Sequence, residues 1–142
     1  MPVTDMKGEC TLSIRKFSGK TVIVPVLSDS CSSCFVLLTR QLDEIDRLPA
    51  LHKGEIVIVA LDIDSPTGPG FIASYHDTPA FSGYSARSPE EMTLDIFHRF
   101  GPFAIDTATV PVILVCPDGH ALLLPPGVKT AEMLDALIGK EC

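Results

Sequence analysis

Three short apolar runs constrain the fold more than any other feature of the sequence. Residues 21–27 read TVIVPVL, residues 55–64 read EIVIVALDID and residues 110–116 read VPVILVC. Each is strand-sized, rich in Val and Ile, and bounded by turn-forming residues, as a buried strand should be. Between the first two lies a helical pattern, with Leu38, Leu42, Ile45 and Leu48 on one face and Pro49 closing it. Ser88-Pro89-Glu90-Glu91 is a capping box with proline at the first helical position, and it opens a second helix that runs to about Phe100. Pro117-Asp118-Gly119 is a tight turn that pairs the third run with HALLL, and Thr130–Ile138 makes a last helix with Met133, Leu134, Leu137 and Ile138 inward. The order β-α-β-α-β-β-α predicts an α/β fold with a central mixed sheet flanked by helices. Pro25, lacking a ladder donor, predicts a bulge or an edge position within the first run. The stretch from Phe71 to Ala86 is less regular.

The chain of 142 residues is read as a single domain, 1–142, long enough to bury a core without staples. None of its runs approaches the ~20 apolar residues of a membrane helix, so no membrane insertion is expected. A net charge of −7 argues against nucleic acid or an anionic membrane as partner, since both select basic surfaces. MPVTDMKGEC has no apolar signal region. A cytoplasmic location is therefore expected, or a periplasmic, extracytoplasmic one if an export signal has been removed. The five cysteines, at 10, 31, 34, 116 and 142, are odd in number with one close pair, unlike the dense framework of a small secreted domain.

That close pair, Cys31-Ser32-Ser33-Cys34, falls where the first strand turns into the first helix. Unpaired N–H groups and the positive end of the macrodipole gather in a first helical turn, so a thiolate there is stabilised. A lowered pKa makes Cys31 a competent nucleophile near neutral pH. Cys34, one turn along, is placed to close a disulfide with Cys31 or to resolve a mixed disulfide, and the small Ser32 and Ser33 leave the first sulfur open to a partner. Thr109-Val110-Pro111-Val112 puts a proline at a strand start, where X-Pro bonds adopt cis at modest cost. A cis turn beside the sulfurs would leave the carbonyl and N–H of Val110 free to pair with an extended substrate backbone.

With these features in order, residues 11 to 138 resemble the thioredoxin superfamily. The carriers are strand–CSSC–helix, then TVPV before a hairpin with PDG at its turn, then the closing helix. LSIRKFSGKTVIVPVL is similar to the lead-in of TlpA/ResA-type thioredoxins and of SCO/SenC proteins. ALDIDSPTGPGFIASYH through FSGYSARSPEEMTLDIFHRFG resembles the insert that SCO and peroxiredoxin-like members place between the second strand and the next helix. The resemblance implies a thiol-disulfide oxidoreductase with Cys31 attacking, Cys34 resolving and Val110-Pro111 binding the partner chain. It implies no organic cofactor, a monomer, and protein disulfide or dithiol partners such as apocytochrome c or a copper-site protein. Departures are specific. SCO proteins carry a CxxxC pair and a histidine near the place of Val110-Pro111, so their copper site is not reproduced. Ser30 stands where an aromatic residue usually precedes the first cysteine. Pro25 stands where thioredoxin has a buried acid, so the usual proton acceptor for the second thiol is missing. The peroxidase motif of peroxiredoxins is absent.

Rival readings accompany the redox one. The thiolates of Cys31 and Cys34 with a histidine would favour Cu(I), as in a metallochaperone. Cys31, Cys34, Cys116 and His120 form a candidate zinc set, although the PDG turn explains the spacing of the last two without metal. Asp62 and Asp64 end a strand as in a Mg²⁺ phosphotransferase, but no further acidic strand end follows. The cysteines as a plain buried pair, and a redox-inert binding module on the same fold, complete the alternatives. His52, His76 and His98 are scattered and read as surface or packing residues, Cys10 and Cys142 as inert thiols, and Phe97, Phe100 and Phe103 as core.

Overall fold

The computed structural model describes residues 2–5, 11–13, 19–27, 35–49, 53–63, 84–87 and 90–142. Its strands are β1 (Pro2–Asp5), β2 (Thr11–Ser13), β3 (Thr21–Leu27), β4 (Ile56–Asp62), β5 (Tyr84–Arg87), β6 (Val112–Val115) and β7 (Ala121–Leu123). Helix α1 covers Phe35–Asp46, α2 Glu90–Phe100 and α3 Ala131–Glu141, with 3-10 turns at Pro102–Ile105 and Thr107–Thr109. The strands form one sheet in the order β2-β1-β5-β4-β3-β6-β7. β3, β4 and β5 run parallel as neighbours, and every other pairing is antiparallel. The expected mixed α/β sheet is the observed one. Sequence patterning missed β1, β2 and β5, the last of which ends the stretch read as irregular.

Alternation along the central strands divides the core in two, because successive side chains of a strand point to opposite faces. Ile23, Ile58, Ala60, Val112 and Leu114 lie on one face against Leu38, Leu42, Ile45 and Leu48 of α1 and its extension and Leu134 of α3. Val22, Val24, Val26, Val59, Leu61 and Ile113 lie on the other face with Met92 and Ile96 of α2. Each fully buried aliphatic side chain contributes on the order of 1.5–3 kcal/mol. Helices on both faces make three layers around β3 and β4, which is why those two runs carry no polar alternation.

Two expectations about packing are corrected. Pro25 sits in a central strand, between β4 and β6, and the register is constant along both ladders, without a bulge. Val26 N–H donates to Pro111 O on the β6 side at 3.0 Å. The nitrogen of Pro25, one residue back, therefore faces β4, where ladder pairs are missing at Val24 and Pro25. The missing donor is absorbed by a local gap in one ladder. Phe97, Phe103 and Met133 are 37%, 62% and 45% exposed rather than core residues. Phe97 follows Ile96 and Met133 precedes Leu134, and a step of one residue turns a side chain ~100° away from the buried stripe.

The hairpin and the last helix follow their local chemistry. His120 N–H donates to Asp118 Oδ1 at 2.9 Å, and Gly119 takes a φ of 94° that a side chain would resist. Thr130 caps α3 by accepting from Met133 N at 3.2 Å.

Candidate active site

The cysteine motif is flanked in the chain by a central strand and the first helix. β3 ends at Leu27 and α1 opens at Phe35. Cys31, Ser32, Ser33 and Cys34 lie between them in the chain, outside the described residues. The first turn of α1 holds no acidic residue, so no carboxylate opposes a thiolate from within that turn.

Val110-Pro111 comes to the end of the sheet at which β3 stops. Pro25 is in register with Val112, and Pro111 O accepts from Val26 N. The pair is thus one strand over from the end of β3, alongside the chain that leads to the cysteines. Its conformation differs from expectation. The described residues contain no cis peptide bond, so the Val110–Pro111 bond is trans. The chain instead changes direction through Val110, whose φ of 52° and ψ of 61° are left-handed. A β-branched residue is rare there and carries a strain of roughly 1–3 kcal/mol. Nor is the Val110 backbone free. Its N–H donates to Thr107 O at 3.2 Å and its carbonyl accepts from Lys129 Nζ at 2.6 Å. Val110 itself is 2% exposed.

Lys129 is the residue of this region that the sequence did not reveal. A single lysine before a helix cap, in GVKTAEM, reads as a surface residue, yet Lys129 is fully buried. Nζ donates to Val110 O and, at 2.9 Å, to Pro125 O. Its own backbone is clamped by Gln41 of α1: Lys129 N–H donates to Oε1 at 2.7 Å and Nε2 donates to Lys129 O at 3.0 Å. A buried polar bridge therefore joins the helix that follows Cys34 in the chain to the turn at Val110. Gln41 lies beside Leu42 on the inward face of α1, and its burial is accounted for by this pairing.

Burial lowers the Lys129 pKa from 10.5 to about 8 by desolvation of the charged form. Below pH 8 both folded and unfolded chains bind the proton, and the cost of burying the cation is present in full. Between the folded value and the unfolded one the folded chain has lost its proton and the unfolded chain keeps it, so stability rises with pH. The expected gain across that window is up to about 3 kcal/mol, since each tenfold change in proton affinity is worth about 1.36 kcal/mol. Urea titrations of wild type and Lys129→Met at intervals from pH 7.5 to 10.5 measure it as a difference, and parallel profiles would exclude it.

The remaining candidate groups separate. Cys116 forms a disulfide with Cys142 across 26 residues of chain, with Cα atoms 5.3 Å apart. This corrects the reading of Cys142 as an inert thiol and removes Cys116 from any zinc set. Among the described residues no three His, Cys, Asp or Glu side chains converge on a metal position. His98 is exposed at the end of α2, edge-on to Phe97. Asp62 ends β4, while Asp64, His52, His76, Cys10, the Ser88-Pro89 cap and most of the SCO-like insert lie outside the described residues.

No protein-family model matches the sequence, and no curated protein matches it. Solved structures do. A thiol:disulfide interchange protein of the thioredoxin family from Chlorobium tepidum superposes with a TM-score of 0.72 at 12% identity, covering 99% of this chain and 91% of that one. A secreted disulfide oxidoreductase from Mycobacterium tuberculosis gives 0.67 at 10% identity, covering 99% and 95%. A secreted thiol-disulfide isomerase from Corynebacterium glutamicum gives 0.68 at 12% identity, covering 96% and 78%. The fold is thioredoxin-like. In this frame β4-β3-β6-β7 make a mixed four-stranded sheet with the helices α1, α2 and α3, and the likeness is one of architecture. Among the described residues no helix is long and apolar enough to cross a membrane.

Proposed function

We propose that the protein is a thiol-disulfide oxidoreductase whose redox couple is Cys31–Cys34. One observation carries the reading. The CSSC motif belongs to the segment between β3 and α1 of a thioredoxin-like fold, and Val110-Pro111 stands beside the strand that leads into it. In the reducing direction the Cys31 thiolate attacks one sulfur of a partner disulfide and the other partner sulfur leaves as thiolate. The Cys34 thiolate then attacks Cys31 Sγ, closes the Cys31–Cys34 disulfide and releases the second partner thiolate. Two electrons pass to the partner, and an external dithiol protein restores the pair. Ser32 and Ser33 leave room for the partner sulfur.

The Cys116–Cys142 disulfide supports an oxidising compartment outside the cytoplasm, because such bonds are rare where glutathione and thioredoxin keep thiols reduced. Protein disulfides are the substrate class, and the TlpA/ResA resemblance makes apocytochrome c or a copper-site protein the first partners to try. The test is a trap. Cys34→Ser should accumulate a mixed disulfide between Cys31 and a protein substrate, stable to gel electrophoresis without reductant. Peptide mapping that finds the adduct on another cysteine, or finds no adduct, removes the assignment.

A further inference from the structure

Helix α2 buries one side and presents apolar residues on the other. Met92 and Ile96 enter the core, and at about 100° per residue Leu94 stands about 160° from each of them, facing away from the sheet. Leu94 is 52% exposed, and Phe97, three residues on and next to it on the helix surface, is 37% exposed. A lone exposed leucine is ordinary, whereas two large apolar side chains together on the outer face of a helix mark a contact surface. Phe103, in the 3-10 turn directly after the helix, adds a third exposed apolar side chain.

The groups around Leu94 have a symmetry. Glu90, Leu94 and His98 are spaced i, i+4, i+8 and form one exposed row, with the acid first, the leucine central and the imidazole last. Arg99 and Asp95 lie to one side of that row, where they pair with each other at 3.7 Å and line a cavity with Val22, Val24 and Ile113 of the sheet. The helix dipole accounts for an acid at the start and a base at the end. It does not account for the apolar residues between them. A half-turn about an axis at Leu94 lays the row on a reversed copy of itself. Leu94 then meets Leu94 of the second copy, Phe97 of each copy lies beside that contact, and Glu90 of each copy meets His98 of the other.

We propose that this face of α2 is an interface between two copies of the chain, paired antiparallel about a two-fold axis at Leu94. An isologous contact needs a patch complementary to itself, and the Glu90–Leu94–His98 row is one. The monomer implied by the family resemblance is then one end of a concentration-dependent equilibrium. Each copy contributes little more than one helix face, which places the dissociation constant at roughly 10–100 μM. The pairing requires neither Cys31 nor Cys34 and stands apart from the thiol-disulfide reading.

Sedimentation equilibrium of the oxidised full chain, from about 5 to 500 μM to span that range, tests the pairing. The average mass should climb from the monomer value towards twice it. Leu94→Glu sets two carboxylates face to face and should raise the dissociation constant about tenfold or more. Glu90→Lys and His98→Glu should each raise it about threefold, because each removes an attraction at both ends of the contact. An equimolar mixture of those two variants should return to within about twofold of wild type, since the introduced lysine then faces the introduced glutamate and Glu90 of one copy still faces His98 of the other. All three positions are exposed, so circular dichroism should show every variant folded, and the mixing experiment decides even where Leu94→Glu is not. A wild type that stays monomeric at the highest concentration gives the face to some other occupant and overturns the interface. Association that Leu94→Glu leaves intact, or that a non-reducing gel shows to be disulfide-linked, overturns it as well. A mixture that associates no more tightly than its two components overturns the antiparallel pairing.

Discussion

Replacing Cys31 by serine should reduce disulfide turnover by about 10³-fold or more, to the uncatalysed rate of the added dithiol. A serine hydroxyl is a poor nucleophile toward sulfur at neutral pH and cannot form the mixed disulfide through which exchange proceeds. The helix terminus that favours a thiolate cannot compensate, because it acts on an anion that serine does not form near pH 7. Folding should survive the change, since serine is nearly the size of cysteine and the two described core clusters are built from other side chains. Insulin reduction monitored by turbidity, with circular dichroism as the folding control, measures both. Unchanged turnover in a folded Cys31→Ser protein removes the oxidoreductase assignment, including every role given to Cys34 and Val110-Pro111.

Much of the fold was legible because its central elements carry strong periodic signals. Thr21–Leu27 and Ile56–Asp62 are apolar on both faces because helices cover both. The α1 stripe of Leu38, Leu42 and Ile45, with Leu48 beyond it, is wholly buried as its spacing requires. What escaped were the three- and four-residue strands β1, β2 and β5, too short for alternation to stand out, whose place is set by pairing with distant chain. Pro25 misled for a similar reason. Its tolerance in a central strand depends on which neighbour its nitrogen faces, and that is a property of register, not of composition. The site divides in the same way. The strand and the helix on either side of CSSC were readable as local patterns, whereas the turn at Val110-Pro111 was read as cis with a free backbone and is trans with both Val110 groups paired. Lys129 was not readable, because a lysine becomes structural only through Val110, Pro125 and Gln41, and Gln41 lies 88 residues away along the chain. The pairing of Cys116 with Cys142 was equally hidden, since spacing alone cannot distinguish a hairpin-end cysteine that is free from one that meets the end of the last helix.

Loss of that disulfide should be the largest stability effect of any single substitution outside the core. Cys142→Ser opens a loop of 26 residues, and the chain-entropy cost of such a closure corresponds to about 3–4 kcal/mol. The bond ties the start of the 117–119 turn to the last turn of α3, which otherwise rests on the buried Leu134 and the half-buried Leu137 and Ile138. Urea denaturation of oxidised wild type and Cys142→Ser should therefore show a midpoint shift of about 1–4 M, given slopes of about 1–3 kcal/mol per M for a protein of this size. A shift below a few tenths of a molar would mean that the sheet and α3 hold the C-terminus unaided. The same bond sets a requirement on the chemistry. A partner dithiol that recharges Cys31–Cys34 must leave Cys116–Cys142 intact, so the second disulfide must be the harder of the two to reduce. Burial of Cys116 shields one sulfur from attack, and the entropy of the long loop favours reclosure. Alkylation with mass mapping across a graded dithiothreitol series should therefore label Cys31 and Cys34 before Cys116 and Cys142. The reverse order would assign the exchange-active pair to the hairpin and the C-terminus instead.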